Sequence, residues 1–121
     1  MKTKIVSLII FIGFFASFSV TNADITPIKA PQATTRSLIA YYSNMYSVSQ
    51  ETLYKTIKCE SGFNPTAHKL TKKENSWGLS QINLKAHPNI TKAQAINKKF
   101  AIEYMAKNIA HHTDHWSCYK T

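Results

Sequence analysis

The run from Ile5 to Phe18 is almost wholly apolar and stands behind two cations, Lys2 and Lys4. It divides the chain into a targeting segment and a remainder that must fold by itself. Thr21, Asn22 and Ala23 place small or polar residues before a cut after Ala23, the three-part pattern of a secretory signal. The run spans about 14 residues, short of the ~20 that cross a bilayer. An uncleaved membrane anchor is the competing reading, although nothing after Phe18 lengthens the run. Removal of residues 1–23 leaves 98, exported to the periplasm or the medium. A chain of that size forms one domain, and a marginal one unless its core is efficient or stapled.

The mature part keeps two cysteines, Cys59 and Cys118. In an oxidising compartment an even pair invites a disulfide. Closing a loop of about 60 residues contributes ~4 kcal/mol in the chain-entropy model. Two buried free thiols are the alternative, and the spacing is unlike that of a zinc site. The mature part also carries thirteen lysines and arginines against six acids, a net charge of +7. A basic surface attracts anionic polymers: nucleic acid, lipid headgroups or cell-wall glycopeptide. Export disfavours nucleic acid, as do dispersed lysines and the lack of a nucleic-acid motif.

Residues 24–33 carry Pro27 and Pro31 without apolar periodicity and read as a linker. From Thr34 the pattern turns helical, with Leu38, Tyr41, Tyr42, Met45 and Tyr46 at spacings of three and four. After a break at Ser47 to Ser49, Ser49 caps a second predicted helix running from Gln50 to about Glu60, closed by Ser61-Gly62. Phe63 to Leu84 reads as irregular, with no convincing strand. Thr91 with Gln94 forms a capping box, and Asn97 caps a further helix. There Phe100, Ala101, Tyr104, Met105, Asn108 and Ile109 share a broad stripe. The expected domain, residues 34–121, is mainly α-helical.

Glu60 is the residue on which chemistry would turn. Leu53, Ile57 and Glu60 fall at i, i+4 and i+7, so the carboxyl shares a face with two core-type residues. It lies in the last turn of its helix, where the macrodipole disfavours negative charge. Partial burial acts in the same direction, and both favour the protonated carboxyl that a general acid needs. A salt-bridged or solvated helix-end glutamate is the ordinary alternative. The mature chain has only two glycines, Gly62 and Gly78. Glycine that scarce points to a local backbone need, a positive φ or a close approach.

Glu60-Ser61-Gly62-Phe63-Asn64-Pro65-Thr66-Ala67 resembles the catalytic glutamate motif of soluble lytic transglycosylases, in the lysozyme-like superfamily. Ser76 to Ile82, with Gly-Leu, one variable residue and Gln-Ile, resembles that family's second motif. Ala101 to Met105 resembles its third, although Ala101 stands where the family often has glycine. The likeness runs from about Leu38 to Ile109. It implies a small goose-type, lysozyme-like domain with Glu60 as the single catalytic acid/base. It implies further that Ser61 helps orient the acid or a substrate group, that Gln81 contacts substrate, and that Tyr104 positions the glutamate or the sugar. The implied reaction cleaves the β-1,4 bond between MurNAc and GlcNAc in peptidoglycan glycan strands. The muramic acid 6-hydroxyl attacks the anomeric carbon, giving 1,6-anhydro-MurNAc without water, metal or organic cofactor.

Two other functions compete. A hydrolytic muramidase would need a second carboxylate about 5–9.5 Å from Glu60. Glu51 stands ~13 Å up the same helix, and Glu103 is expected on another face, which leaves Glu74 and Asp114 open. A non-catalytic protein that binds cell wall or joins a secretion complex is the other competitor. A monomer is expected, with envelope or secretion-complex proteins as further candidate partners and membrane contact only through an uncleaved signal. His111, His112, Asp114 and His115 read as a solvated helix end before they read as a metal site. Trp77 and Trp116 are candidates for sugar stacking or for the core.

Overall fold

A computed structural model describes residues 33–119. The signal-peptide reading of residues 1–23 and nearly all of the linker lie outside the described residues. Helix α1 (Thr35–Tyr46) and helix α2 (Gln50–Ser61) come first. Three short strands follow, β1 (His68–Leu70), β2 (Asn75–Trp77) and β3 (Ile82–Asn83). Helices α3 (Lys92–Ala95) and α4 (Lys98–His111) complete the order, and the tail runs on to Tyr119. The domain is mainly helical, as the sequence implies.

Each helix starts where a short polar side chain satisfies backbone N–H groups that have no partner inside the helix. Ser49 accepts from the Thr52 N–H at 3.3 Å, and Asn97 from the Phe100 N–H at 3.0 Å. Thr91 and Gln94 form the reciprocal capping box at α3. Thr34 caps α1 in the same way. Helix α2 ends on Gly62 in the left-handed region, its N–H donating to the Lys58 carbonyl.

The sheet corrects the reading of residues 63–84 as irregular. β1 pairs antiparallel with β2, His68 opposite Trp77, and β2 pairs with β3, Trp77 opposite Ile82. Strands of two and three residues are too short for a period-two pattern to register. β1 is also exposed throughout, so it carries no apolar alternation at all.

The core is built where α1 packs on α2 and α4. Ile39, Tyr42, Leu53, Ile57, Ile102, Met105 and Ala106 are fully enclosed. Each enclosed large aliphatic side chain contributes about 1.5–3 kcal/mol. Two details differ from the helical stripes read in the sequence. Tyr41 and Met45 face outward and Ile39 takes their place, because the buried arc of α1 is narrower than its apolar arc. In α4, Ile102 and Ala106 join the buried face, while Phe100, Tyr104 and Asn108 lie at its half-buried edge.

Two contacts tie the sheet region to the helices. Gly78 lies at φ +80°, and a β-carbon there would meet the Ala95 carbonyl oxygen at 1.9 Å. Only glycine allows that approach. Ser80, fully buried, donates its hydroxyl to the Ala101 carbonyl at 2.6 Å. The tail returns to the same place: buried Trp116 donates its indole N–H to the Ser80 carbonyl at 2.7 Å.

Candidate active site

Leu53 and Ile57 are wholly enclosed, so the face of α2 that they share is fixed against the core. Glu60 continues that face one turn later and emerges, half-buried, at a groove of about 300 Å³. Its carboxylate is held from the tail. The Cys118 N–H donates to Oε1 at 3.0 Å, and the Ser117 hydroxyl approaches the same oxygen at 3.3 Å. No hydrogen bond from the described residues reaches Oε2. Cys59 and Cys118 form a disulfide, so the residue before Glu60 is bonded to the residue whose backbone holds it. The end of α2 and the tail therefore make one wall of the groove, with Asp114, His115, Trp116 and Ser117 lining it.

The sheet region makes the other wall with Lys69, Glu74, Ser76, Gln81, Ile82 and Asn83. The Glu74 carboxylate is gripped from two sides. Lys69 Nζ lies 2.9 Å from one oxygen, and the Ser76 hydroxyl donates to the other at 2.7 Å. The Lys69 ammonium, then the Ser76 hydroxyl, hold the Glu74 carboxyl below the usual carboxylate range. Lys69 is itself raised by its bond to Glu74 and, in smaller part, by the charge on Glu60. Its ammonium thus lies within electrostatic reach of both carboxylates.

Gln81 lines the groove with Glu60. Its backbone takes φ +48°, and its side-chain amide donates to the carbonyls of Ala67 and Gly78. The donors are occupied, and no hydrogen bond from the described residues reaches its side-chain oxygen. Ser61 and Tyr104 do not line the groove. The Ser61 hydroxyl donates back to the Ile57 carbonyl at 3.1 Å. The Tyr104 hydroxyl donates to Asp114 Oδ2 at 2.9 Å, and burial followed by that carboxylate pushes the phenol well above its ordinary range.

The sequence reading did not anticipate the neighbours of Tyr104. His87 Nε2 pairs with the same Asp114 oxygen at 3.0 Å, and both His87 and Asp114 line the groove. Tyr104 stands behind this pair and holds it. Nothing in the sequence singled out that histidine. Glu51 forms an exposed pair with Lys55, and Glu103 accepts from the Tyr46 hydroxyl at 3.1 Å. Trp116 is buried in the core and also lines the groove. Trp77 is stacked on His68 at 3.7 Å, and the Lys92 ammonium lies 3.9 Å from its ring.

The family model described as the Transglycosylase SLT domain matches residues 37–121. The chain belongs to that family. The match includes the tail as well as the three motifs, so the disulfide-bonded segment lies inside the family domain. No curated protein and no solved structure matches the chain. SLT domains are glycosyl-cleaving lytic transglycosylases that act on peptidoglycan outside the cytoplasm. Among the described residues no helix is long and apolar enough to cross a membrane.

Proposed function

We propose that this chain is an exported lytic transglycosylase in which Glu60 is the general acid and then the general base. The acid form of Glu60 gives its proton to the glycosidic oxygen between MurNAc and GlcNAc, and the bond from the anomeric carbon breaks. The carboxylate then takes the proton of the muramic acid 6-hydroxyl as that oxygen closes on the anomeric carbon. The proton count is unchanged, and the products are a 1,6-anhydro-MurNAc end and a free GlcNAc hydroxyl.

The observation that carries this reading is the asymmetry of the Glu60 carboxyl. One oxygen is engaged by the tail at Cys118, while the other has no partner among the described residues, in a groove of sugar-binding size. Proton transfer needs an oxygen that the substrate can reach in hydrogen-bonding geometry. Gln81 would offer its side-chain oxygen to a sugar hydroxyl or acetamido N–H. Tyr104 would act through Asp114 and His87 rather than on the sugar, and Ser61 through the helix end. Residues 1–23 would direct export and be removed, with residues 24–33 as the linker. The basic mature surface favours anionic murein.

Hydrolysis on the same substrate is the second reading, because Glu74 and Asp114 share the groove with Glu60. Mass spectrometry of murein digested by the purified protein separates the two. Anhydro-MurNAc ends are expected. Reducing MurNAc ends would transfer the assignment to a muramidase. If wild-type protein and Glu60→Gln bind murein alike and neither releases muropeptides, the domain is a binding or assembly module.

A further inference from the structure

In murein each MurNAc can carry a peptide stem on its lactyl group, and the stem bears free carboxylates. A stem beside the scissile bond has to leave the groove over one of its two rims. The rims differ in charge. The tail rim, residues 114–117, holds one aspartate and no lysine or arginine. The sheet rim is built on residues 68–86, which hold four lysines against one glutamate. That is three of the seven net positive charges of the mature chain in about a fifth of its length.

The fold gathers these lysines at one turn. Residues 71–74 join β1 to β2, and the Thr71 N–H closes the turn by donating to the Glu74 carbonyl at 2.8 Å. The Lys73 N–H donates to Thr71 Oγ1 at 3.2 Å. Lys85, which follows β3, reaches across and donates its ammonium to the carbonyls of Thr71 at 2.8 Å and Lys72 at 3.1 Å. A cation thus braces the backbone from which two further cations project. Lys72 and Lys73 are exposed, and no carboxylate of the described residues pairs with either. Glu74, the acid beside them, is taken by Lys69. Lys69 and Glu74 flank the turn and both line the groove, so the unpaired lysines stand at its rim. Like charges held together in this way repel, and the repulsion is relieved when an anion docks.

We propose that the β1–β2 turn is the peptide-stem site of this groove. Lys72 and Lys73 meet the stem carboxylates, and Lys85 is a positioning residue that fixes the turn. The proposal rests on murein as the substrate and adds which strands are preferred, those whose stems keep their charge. No bond of the reaction changes, so the contribution falls on binding. Exposed charge pairs are individually weak and are screened by salt, so the preference is modest and falls with ionic strength.

The experiment compares two substrates: soluble murein strands with intact stems, and the same strands after their stem carboxylates are converted to amides. The proteins are wild type, Lys72→Glu with Lys73→Glu, Lys72→Arg with Lys73→Arg, and Lys85→Met, with kcat, KM and Tm for each. Wild-type kcat/KM is expected to be about tenfold higher on the charged strands at low salt, through KM, and about equal on both at about 1 M salt. The glutamate pair is expected to bring the low-salt ratio to about one or below, and the arginine pair to keep it. Lys85→Met is expected to lower it about threefold. A wild-type ratio near one at low salt would overturn the proposal and leave the Glu60 reading standing. So would a glutamate pair that loses rate equally on both substrates and keeps the wild-type ratio. A glutamate pair that keeps the ratio but no longer sediments with phosphatidylglycerol vesicles, when wild type does, would give the turn to a membrane surface instead. Wild-type protein that releases no muropeptide from either substrate would remove the lytic reading and this one together.

Discussion

The two walls of the groove are held by different means. Glu60 extends from a twelve-residue helix whose inner face is wholly enclosed, and its neighbour Cys59 is bonded to the tail that holds its carboxylate. The facing wall has strands of two and three residues, the outermost fully exposed. Burial fixes only part of such a wall, at Ser76, Leu79, Ser80 and Ile82. Contacts to backbone fix the rest: Gly78 against Ala95, the Ser80 hydroxyl on Ala101, and the Gln81 amide bridging Ala67 and Gly78. The difference teaches where each wall is vulnerable. The helical wall depends on one covalent bond and a packed face, the other on the absence of a single methyl group.

Cutting the covalent bond is the largest perturbation. Cys118→Ser in a Cys59→Ser background is expected to cost ~4 kcal/mol, which lowers Tm by roughly 15–30 °C in a domain of this size. Buried Trp116 still anchors part of the tail, so the protein folds at low temperature with its acid loosened. Its kcat is expected to fall by ~100-fold, read by muropeptide release at a temperature where circular dichroism shows it folded.

The matching break on the other wall is Gly78→Ala. It adds left-handed strain of about 1–2 kcal/mol to a collision with backbone, for a loss on the order of 3 kcal/mol by urea unfolding. Gly62→Ala sharpens the contrast. That glycine lies at φ +59° but nothing stands within 4 Å of an added β-carbon, so only the strain of about 1–2 kcal/mol remains. Equal losses at the two glycines would show that close approach does not fix the sheet wall.

The smallest effect is electrostatic. The Glu74 carboxyl titrates below its unfolded value because Lys69 and Ser76 hold its charged form. Its contribution to stability is therefore present above the unfolded value, near 4.3, and is lost as pH falls through the lower folded one. Glu74→Gln is expected to flatten Tm between pH 5 and 3 relative to wild type, a shift of only about a few degrees because the pair is partly exposed.

The helical half of the molecule was legible because its signals are local. Ser49, Thr91 and Asn97 sit three residues from the N–H groups they cap, and the spacing of Leu53, Ile57 and Glu60 points the acid inward with no knowledge of the rest. The two scarce glycines announced backbone needs, and both stand at positive φ. The sheet was not legible, since its strands are shorter than one cycle of a recognisable pattern. Nor was the His87–Asp114–Tyr104 cluster. Its members come from a loop, the tail and α4, and only the fold brings them within hydrogen-bond distance. Tyr41 and Met45 misled because an apolar arc on a helix says which side chains can be buried, and the width of the neighbouring helices decides which are.

One comparison bears on all of this most directly: the rate of muropeptide release from purified murein by wild-type protein and by Glu60→Gln, at matched Tm and matched murein binding. A loss of about 1,000-fold or more is expected when the proton donor becomes an amide of the same shape. A variant that keeps its rate within about tenfold of wild type would mean that cleavage runs through some other group, and Glu60 would be left as a residue that merely pins the tail.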